Sequence, residues 1–242
     1  MKVKPLFIVI LLTSFSFVSA QEYTFGVKGG INFNNIGELY HYGLESGGGV
    51  NANPSVDTYY TADKEMGTQF GAFAMIAFDK FFIRPEINFM SLKNSYPLIK
   101  TANWTLKKID IPILFGYKIY KPVSLYAGPS FSSISEMKLE GIQENLIPFT
   151  YKISSTAINA GLLVEVGRFG IDLRYQYGIT KVLEQEVDID AGNYGTNRGR
   201  LMEYNPSQIQ LSVHINILKF NAADKGPRIK SGWRGSSRGC LN

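Results

Sequence analysis

The chain has 242 residues, of which 13% are aromatic and 24 are glycine, a composition that suits strands joined by tight turns. Its net charge of +5 comes from the two ends, because residues 1–20 contribute +2 and residues 221–242 contribute +4, which leaves −1 for residues 21–220. A basic nucleic-acid-binding domain is therefore excluded, and the single cysteine, Cys240, excludes an internal disulfide.

The first 20 residues have the pattern of a secretory signal peptide. Lys2 and Lys4 precede an apolar stretch over residues 6–18, and Ser19 and Ala20 provide a small-residue cleavage site before Gln21. Because Gln21 is not a cysteine, the pattern is not that of a lipoprotein. No later apolar run approaches the ~18 residues that a spanning helix needs. The sequence thus predicts an exported chain that is either a soluble protein or a membrane β-barrel.

Eight segments alternate apolar and polar side chains with a period of two, which is the signature of strands. They are residues 23–33, 70–78, 81–89, 109–119, 125–131, 158–166, 169–179 and 209–217. Long connections (roughly 35–67, 92–104, 133–155 and 181–206) alternate with short ones (79–80, 120–122 and 167–168). Short periplasmic turns and long outer loops are typical of a transmembrane barrel.

We therefore predict an all-β fold, an eight-stranded antiparallel up-and-down transmembrane β-barrel with both ends in the periplasm. A soluble β-sandwich or a lipocalin-like barrel also alternates apolar and polar positions, and it is the alternative fold. Eight strands leave a lumen just wide enough for side chains. Charges of both signs lie on the polar face near the strand centres, and we expect them to form a structural polar network inside the lumen. These residues are Arg84, Glu86, Lys108, Asp110, Glu165, Asp172, Arg174 and His214.

Five segments, in this order, resemble the PorT-like outer-membrane β-barrel family of Gram-negative bacteria. They are residues 25–32 (FGVKGGIN), 84–89 (RPEINF), 109–114 (IDIPIL), 125–129 (LYAGP) and 173–180 (LRYQYGIT). The resemblance covers about residues 21–220 and implies a single small barrel without a catalytic motif. The member that gives the family its name assists a protein-secretion system.

The C-terminal end departs from this family, whose barrels tend to finish on an aromatic residue that assembly machinery reads. Here Phe220 falls on the polar parity of the last strand, and 22 residues follow it. Residues 221–242 are rich in Gly, Ser and Arg without periodicity, which favours a disordered basic tail. The predicted organisation is a signal peptide over residues 1–20, a barrel over residues 21–220 and this tail.

Few residues could support catalysis or bind a metal. Ser212 and His214 share one face of the last strand, but a lipid hydrolase would need them to reach the bilayer, and their parity turns them into the lumen. Asp188 and Asp190 are not part of an EF-hand pattern, and the only other histidine is His41. We expect no catalytic residue, no cofactor and no metal.

The sequence therefore predicts a non-enzymatic integral protein of the outer membrane that binds or supports something through its outer loops or its periplasmic end. Three alternatives are an accessory subunit of a protein-secretion system, a lipid-modifying hydrolase and a narrow channel. The expected partners are outer-membrane lipid and the barrel-assembly machinery, with an envelope or secretion-system protein as a further partner class and no nucleic acid.

Overall fold

The computed structural model describes residues 21–41, 58–98, 101–140, 153–190 and 196–221. The predicted signal peptide and the tail beyond residue 221 lie outside these ranges. The strands are β1 (Gln21–Asn35), β2 (Leu39–His41), β3 (Thr58–Tyr60), β4 (Asp63–Phe78), β5 (Phe81–Tyr96), β6 (Ala102–Tyr120), β7 (Val123–Glu140), β8 (Ser154–Val166), β9 (Phe169–Gly178), β10 (Gln185–Asp190), β11 (Thr196–Leu201) and β12 (Ser207–Asn221). No helix in the described ranges is long and apolar enough to cross a membrane.

Eight antiparallel strands close into a barrel in the order β1-β12-β9-β8-β7-β6-β5-β4. Each of the eight alternating segments falls within one of these strands, except that segment 169–179 extends one residue beyond the end of β9. β12 returns to pair with β1. Where all eight strands pair, closure leaves no unpaired sheet edge, as a strand structure in lipid requires. The predicted eight-stranded antiparallel barrel is therefore confirmed.

Three tight turns join strands at one end of the barrel, where the short connections were predicted. Asp79 (φ 53°) and Gly167 (φ 65°) adopt the left-handed backbone conformation, which glycine adopts without strain and aspartate tolerates better than most residues. The third turn contains a cis peptide bond between Lys121 and Pro122. Because short turns are periplasmic in bacterial barrels, this end is the periplasmic end and the opposite end is the outer one.

The two faces of each strand differ as the period of two requires. Apolar side chains point outward, including Ile113 (38% exposed) and Phe115 (54% exposed), while their neighbour Leu114 is fully buried in the lumen. An aromatic group surrounds the outer surface towards the periplasmic end, a position that suits the membrane interface. Its members include Phe81, Tyr117, Tyr120, Phe169 and Phe220.

Phe220 belongs to this outward-facing group although its parity predicted the polar face, so that prediction was wrong. The pairing of β1 with β12 shifts between Phe25 and Gly26, which pair with Leu218 and Asn216 respectively. Ile217 is the extra residue of the resulting β-bulge, and a bulge reverses the parity of everything beyond it. Leu218 and Phe220 consequently turn outward, and Phe220 is 53% exposed.

The described parts of the outer end contain more strand structure than the predicted long loops suggested. β5 continues to Tyr96 and β6 begins at Ala102, so most of the predicted loop 92–104 is hairpin. β7 similarly extends to Glu140, whereas β8 begins only at Ser154 and β9 ends at Gly178. Segments of the first and fourth long connections form a separate four-stranded sheet in the order β10-β11-β2-β3. The barrel wall is therefore tall on the β5–β7 side and low at β8 and β9.

An apolar core joins this small sheet to the tall wall. Its central buried members are Leu39, Leu92, Tyr96, Trp104 and Leu201. The Tyr96 hydroxyl donates to the carbonyl oxygen of Gly37 at 2.6 Å, and burial raises the pKa of Tyr96 above its ordinary value, so the phenol stays protonated. This core holds the described segments of the first and fourth connections against the outer end of the barrel.

The outward position of Ile113 predicts a sensitivity to charge that depends on depth. We expect Ile113→Arg to destabilise the barrel folded in lipid vesicles by about 2–4 kcal/mol, because the guanidinium would lie in hydrocarbon. Ile119→Arg, on the same face near the periplasmic turn, is the control and should cost only about 0–1 kcal/mol. Denaturant titrations of both variants measure the difference, and equal costs would contradict the assigned membrane depth.

Candidate functional site

A cluster of five charged side chains occupies the centre of the lumen. Lys28 Nζ on β1 lies 3.1 Å from Glu86 Oε2 on β5 and 3.1 Å from Asp172 Oδ2 on β9. Arg174 Nη2 lies 2.9 Å from Glu86 Oε1 and 2.9 Å from Asp172 Oδ2, and Arg84 Nε lies 2.9 Å from Glu86 Oε1. All five are buried. Charges this deep require such pairing, because an unpaired buried charge is costly.

An apolar cluster closes the lumen on the periplasmic side of these charges. Tyr126 joins the two layers, since its hydroxyl donates to Asp172 and accepts from Arg174 Nε at 3.0 Å. The guanidinium of Arg84 lies 4.0 Å from the centre of the Phe73 ring. The buried apolar members are Phe73, Met75, Ala77, Phe82, Leu114, Tyr126 and Leu163. Charges and apolar side chains together fill the lower lumen.

Two smaller polar groups hold the remaining residues of the predicted network. Glu165 Oε1 lies 3.2 Å from His214 Nε2, and Asn216 Nδ2 donates to the same oxygen at 3.3 Å. Nearer the outer end, Asp110 Oδ1 accepts from Ser132 Oγ at 2.5 Å. The structure thus divides the eight predicted residues among three groups.

Gln176 links the members of the outer polar group. Its side-chain nitrogen donates to both carboxylate oxygens of Asp110 at 3.2 Å, and its Oε1 accepts from Lys108 Nζ at 3.1 Å. Lys28, Tyr126 and Gln176 were not among the predicted network residues. The parity of β1, β7 and β9 already turns them inward, and this was the available signal, but their partners lie on distant strands.

The remaining candidates from the sequence are not brought together into a reactive site. Ser212 and His214 are both buried in the lumen, where the His214 ring contacts Glu165 and lies so close to Gly170 that a Cβ there would collide with it. Asp188 is buried, but the side chains of Asp190 and His41 lie outside the described residues. Across the parts of the chain that the structure describes, no group of three potential metal ligands occurs.

A cavity of about 390 Å³ opens above the polar groups, at the outer mouth of the barrel. Strand direction places Lys108, Ser132, Gln176 and Gln208 at its inner end, which we call the floor. Apolar side chains form most of its walls. They include Ile36, Leu92, Trp104, Leu106, Ile134, Met137, Ala157, Val182, Leu183, Leu201, Tyr204 and Pro206. An apolar cavity of this size with a few convergent polar groups is typical of a small-molecule site.

Three of the lining side chains contain buried polar atoms that no described residue satisfies. They are Trp104 Nε1, both amide atoms of Asn34 and Gln208 Oε1. Burial also raises the pKa of Tyr204, so its hydroxyl remains a neutral donor. Buried polar atoms normally have hydrogen-bond partners, so these atoms are unsatisfied polar positions within the residues that line the cavity.

The central cluster predicts that a Glu→Gln substitution costs much more folding stability at a buried glutamate than at an exposed one. Glu86→Gln would leave Lys28, Arg84 and Arg174 with Asp172 as their one carboxylate within the cluster. We expect a loss of about 3–5 kcal/mol in folding free energy, measured by denaturant titration in lipid vesicles.

Glu136→Gln is the matched control, because Glu136 lies outside the barrel with Lys107 and Lys138 at 2.7 Å. Hydrogen bonds and charge from these lysines lower the pKa of Glu136 to about 2, but solvent screens exposed pairs, so no resolvable loss is expected. A loss at Glu136 equal to that at Glu86 would refute the assigned role of the buried cluster.

Comparison with known proteins found distantly similar solved structures and a matching family. Solved structures with a similar chain path include OprG from Pseudomonas aeruginosa, at 11% identity and a TM-score of 0.44, covering 84% of this chain and 96% of that chain. Neisserial surface protein A gives 12% identity and a TM-score of 0.37, covering 79% and 96%. Ail of Yersinia pestis gives 13% identity and a TM-score of 0.35, covering 84% and 99%.

These similarities are too distant to bear on function, and no curated protein matches the chain. A family model, that of the outer membrane protein beta-barrel domain, matches residues 19–184, which is more than half of the chain. The outer membrane is thus the location of the barrel, whereas the narrower resemblance to PorT-like proteins stays a prediction. The chain belongs to the outer membrane protein beta-barrel domain family.

Proposed function

We propose that this protein is a non-enzymatic integral outer-membrane barrel that binds a small, largely apolar molecule in the cavity at its outer mouth. The observation that carries the proposal is the cavity itself, about 390 Å³ in volume, with mostly apolar walls and a polar floor. The rigid barrel, the tall β5–β7 wall and the four-stranded sheet hold these walls in place. A preformed cavity needs little ordering when it binds a ligand, which favours affinity.

Because side chains fill the lower lumen, the structure favours binding of a ligand in the cavity over its passage through the barrel. Below the floor, the charged cluster and then the buried ring of Phe82 and side chains of Leu114 and Leu163 occupy the barrel. A ligand that enters from the outside therefore meets a closed end. The secretion-subunit alternative has no specific observation in its favour, and for the hydrolase alternative the buried Ser212 and His214 lie away from lipid.

The proposal predicts saturable binding that Trp104 can report. The chain has two tryptophans, so Trp233→Phe leaves Trp104 as the sole tryptophan, buried in the cavity wall. In nanodiscs, the neutral probe 11-bromo-1-undecanol should quench Trp104 fluorescence with a saturating curve. Ala157→Phe should weaken this binding about tenfold or more, because its ring would occupy the cavity.

Ala160→Phe is the control for this experiment. Ala160 lies three residues further along β8 and faces outward, so its substitution should leave quenching unchanged. Heat-modifiable gel mobility verifies that each variant is folded. Quenching that never saturates, or that is equal in both variants, would show partition into lipid and overturn the proposed binding site.

The same lumen predicts the absence of steady conductance. Bulky side chains and five paired charges fill the barrel below the cavity, and an eight-stranded lumen has no room beside them for a water column. Planar bilayers containing the folded full chain should therefore show no stable single-channel steps. Large and lasting steps would favour the narrow-channel alternative.

A further inference from the structure

The floor of the cavity contains a cation that makes no direct ion pair with any residue that the structure describes. Lys108 is half-buried and lines the cavity, and its ammonium donates to the neutral amide oxygen of Gln176 at 3.1 Å. Among the described residues it forms no ion pair. An ammonium has three hydrogen-bond donors, so two of the three donors of Lys108 remain for a ligand.

The other two charged residues that line the cavity, Lys181 and Glu184, each pair with a neighbouring residue. Lys181 Nζ lies 3.3 Å from Glu203 Oε1, and Glu184 Oε1 lies 2.9 Å from Arg200 Nη1. Both pairs lie at the outer rim, where solvent reaches them. Lys108 differs because it lies at the inner end, below the apolar walls, where a charge is poorly solvated and its attraction for an anion is strong.

Asp110 is the nearest acidic group to the floor on the same strand, and neutral donors already satisfy it. Its two oxygens accept from Gln176 Nε2, and Ser132 Oγ donates to Oδ1. The amide of Gln176 thus stands between the ammonium of Lys108 and the carboxylate of Asp110. The negative charge of Asp110 nevertheless disfavours a second negative charge on a ligand headgroup, so a monoanion suits the floor better than a dianion.

We infer that the ligand of this cavity is a single-chain amphiphile with a carboxylate headgroup, whose head contacts Lys108 and whose chain lies along the apolar walls. This inference rests on the proposed function, because it requires that the cavity binds a ligand at all. The chain would contact Leu106, Ile134 and Ala157 above the floor. The ammonium would gain the charge-assisted hydrogen bonds that it lacks without ligand.

The test compares two probes of equal chain length, 11-bromoundecanoic acid and 11-bromo-1-undecanol, on the full chain carrying Trp233→Phe in nanodiscs. At a pH where the acid is ionised in water, it should bind about tenfold more tightly than the alcohol. Lys108→Met should reduce this ratio to about 1 with little change in the affinity for the alcohol. Lys108→Arg should retain the preference.

Lys107→Met is the matched control, because the neighbouring Lys107 is exposed and pairs with Glu136 outside the barrel. It should leave the preference for the acid unchanged, and an equal loss in this variant would assign the preference to surface charge and overturn the inference. Equal affinity for acid and alcohol in the parent protein would also overturn it while leaving the proposed function intact. No saturable binding of either probe would overturn the proposed function instead. The parent comparison decides the question even where a Lys108 variant fails to fold.

Discussion

Closure of the barrel is the constraint on which the rest of this structure depends. In lipid every backbone group must find a partner within the protein, and β12 meets this demand by returning to β1. Eight strands then enclose a lumen that is too narrow for bulk water and that side chains must fill. Residues that would be solvated on an open sheet, such as Lys28, Glu86 and Arg174, are forced to pair with one another across the barrel.

The lumen changes in character from one end to the other. Near the periplasmic turns, apolar residues such as Phe82 and Leu163 fill it, and the paired charges follow in the middle. Beyond Lys108 and Gln176, strands β5–β7 continue as a taller wall, and the four-stranded sheet β10-β11-β2-β3 packs against it. The side chains at this level no longer fill the lumen. The cavity is therefore a consequence of the added height, because the strands continue past the level at which the narrow barrel fills itself.

The sequence predicted the features that depend on local periodicity. Alternation with a period of two placed all eight barrel strands and the outward face of residues such as Ile113, and the alternating connection lengths distinguished the two ends. The sequence-based prediction failed where pairing between distant strands decides the direction of a side chain or the contacts of a loop. The bulge at Ile217, which turns Phe220 outward, exists because of the register with β1. The four-stranded sheet pairs residues 39–41 with residues 199–201, a contact that no local pattern reveals.

Side chains of the candidate site were predictable as a set but not as partners. Parity identified Lys108 and Asp110 as inward-facing charges two residues apart, but it gave no indication of their partners. In the structure Asp110 accepts hydrogen bonds from Ser132 and Gln176, because donors from β7 and β9 reach the carboxylate across the lumen. Lys108 donates to the amide oxygen of Gln176. Lys108 thus makes no direct ion pair among the described residues, and the Gln176 amide separates it from the carboxylate of Asp110. We expect this cation, at the inner end of a cavity with mostly apolar walls, to favour a ligand with a negatively charged headgroup.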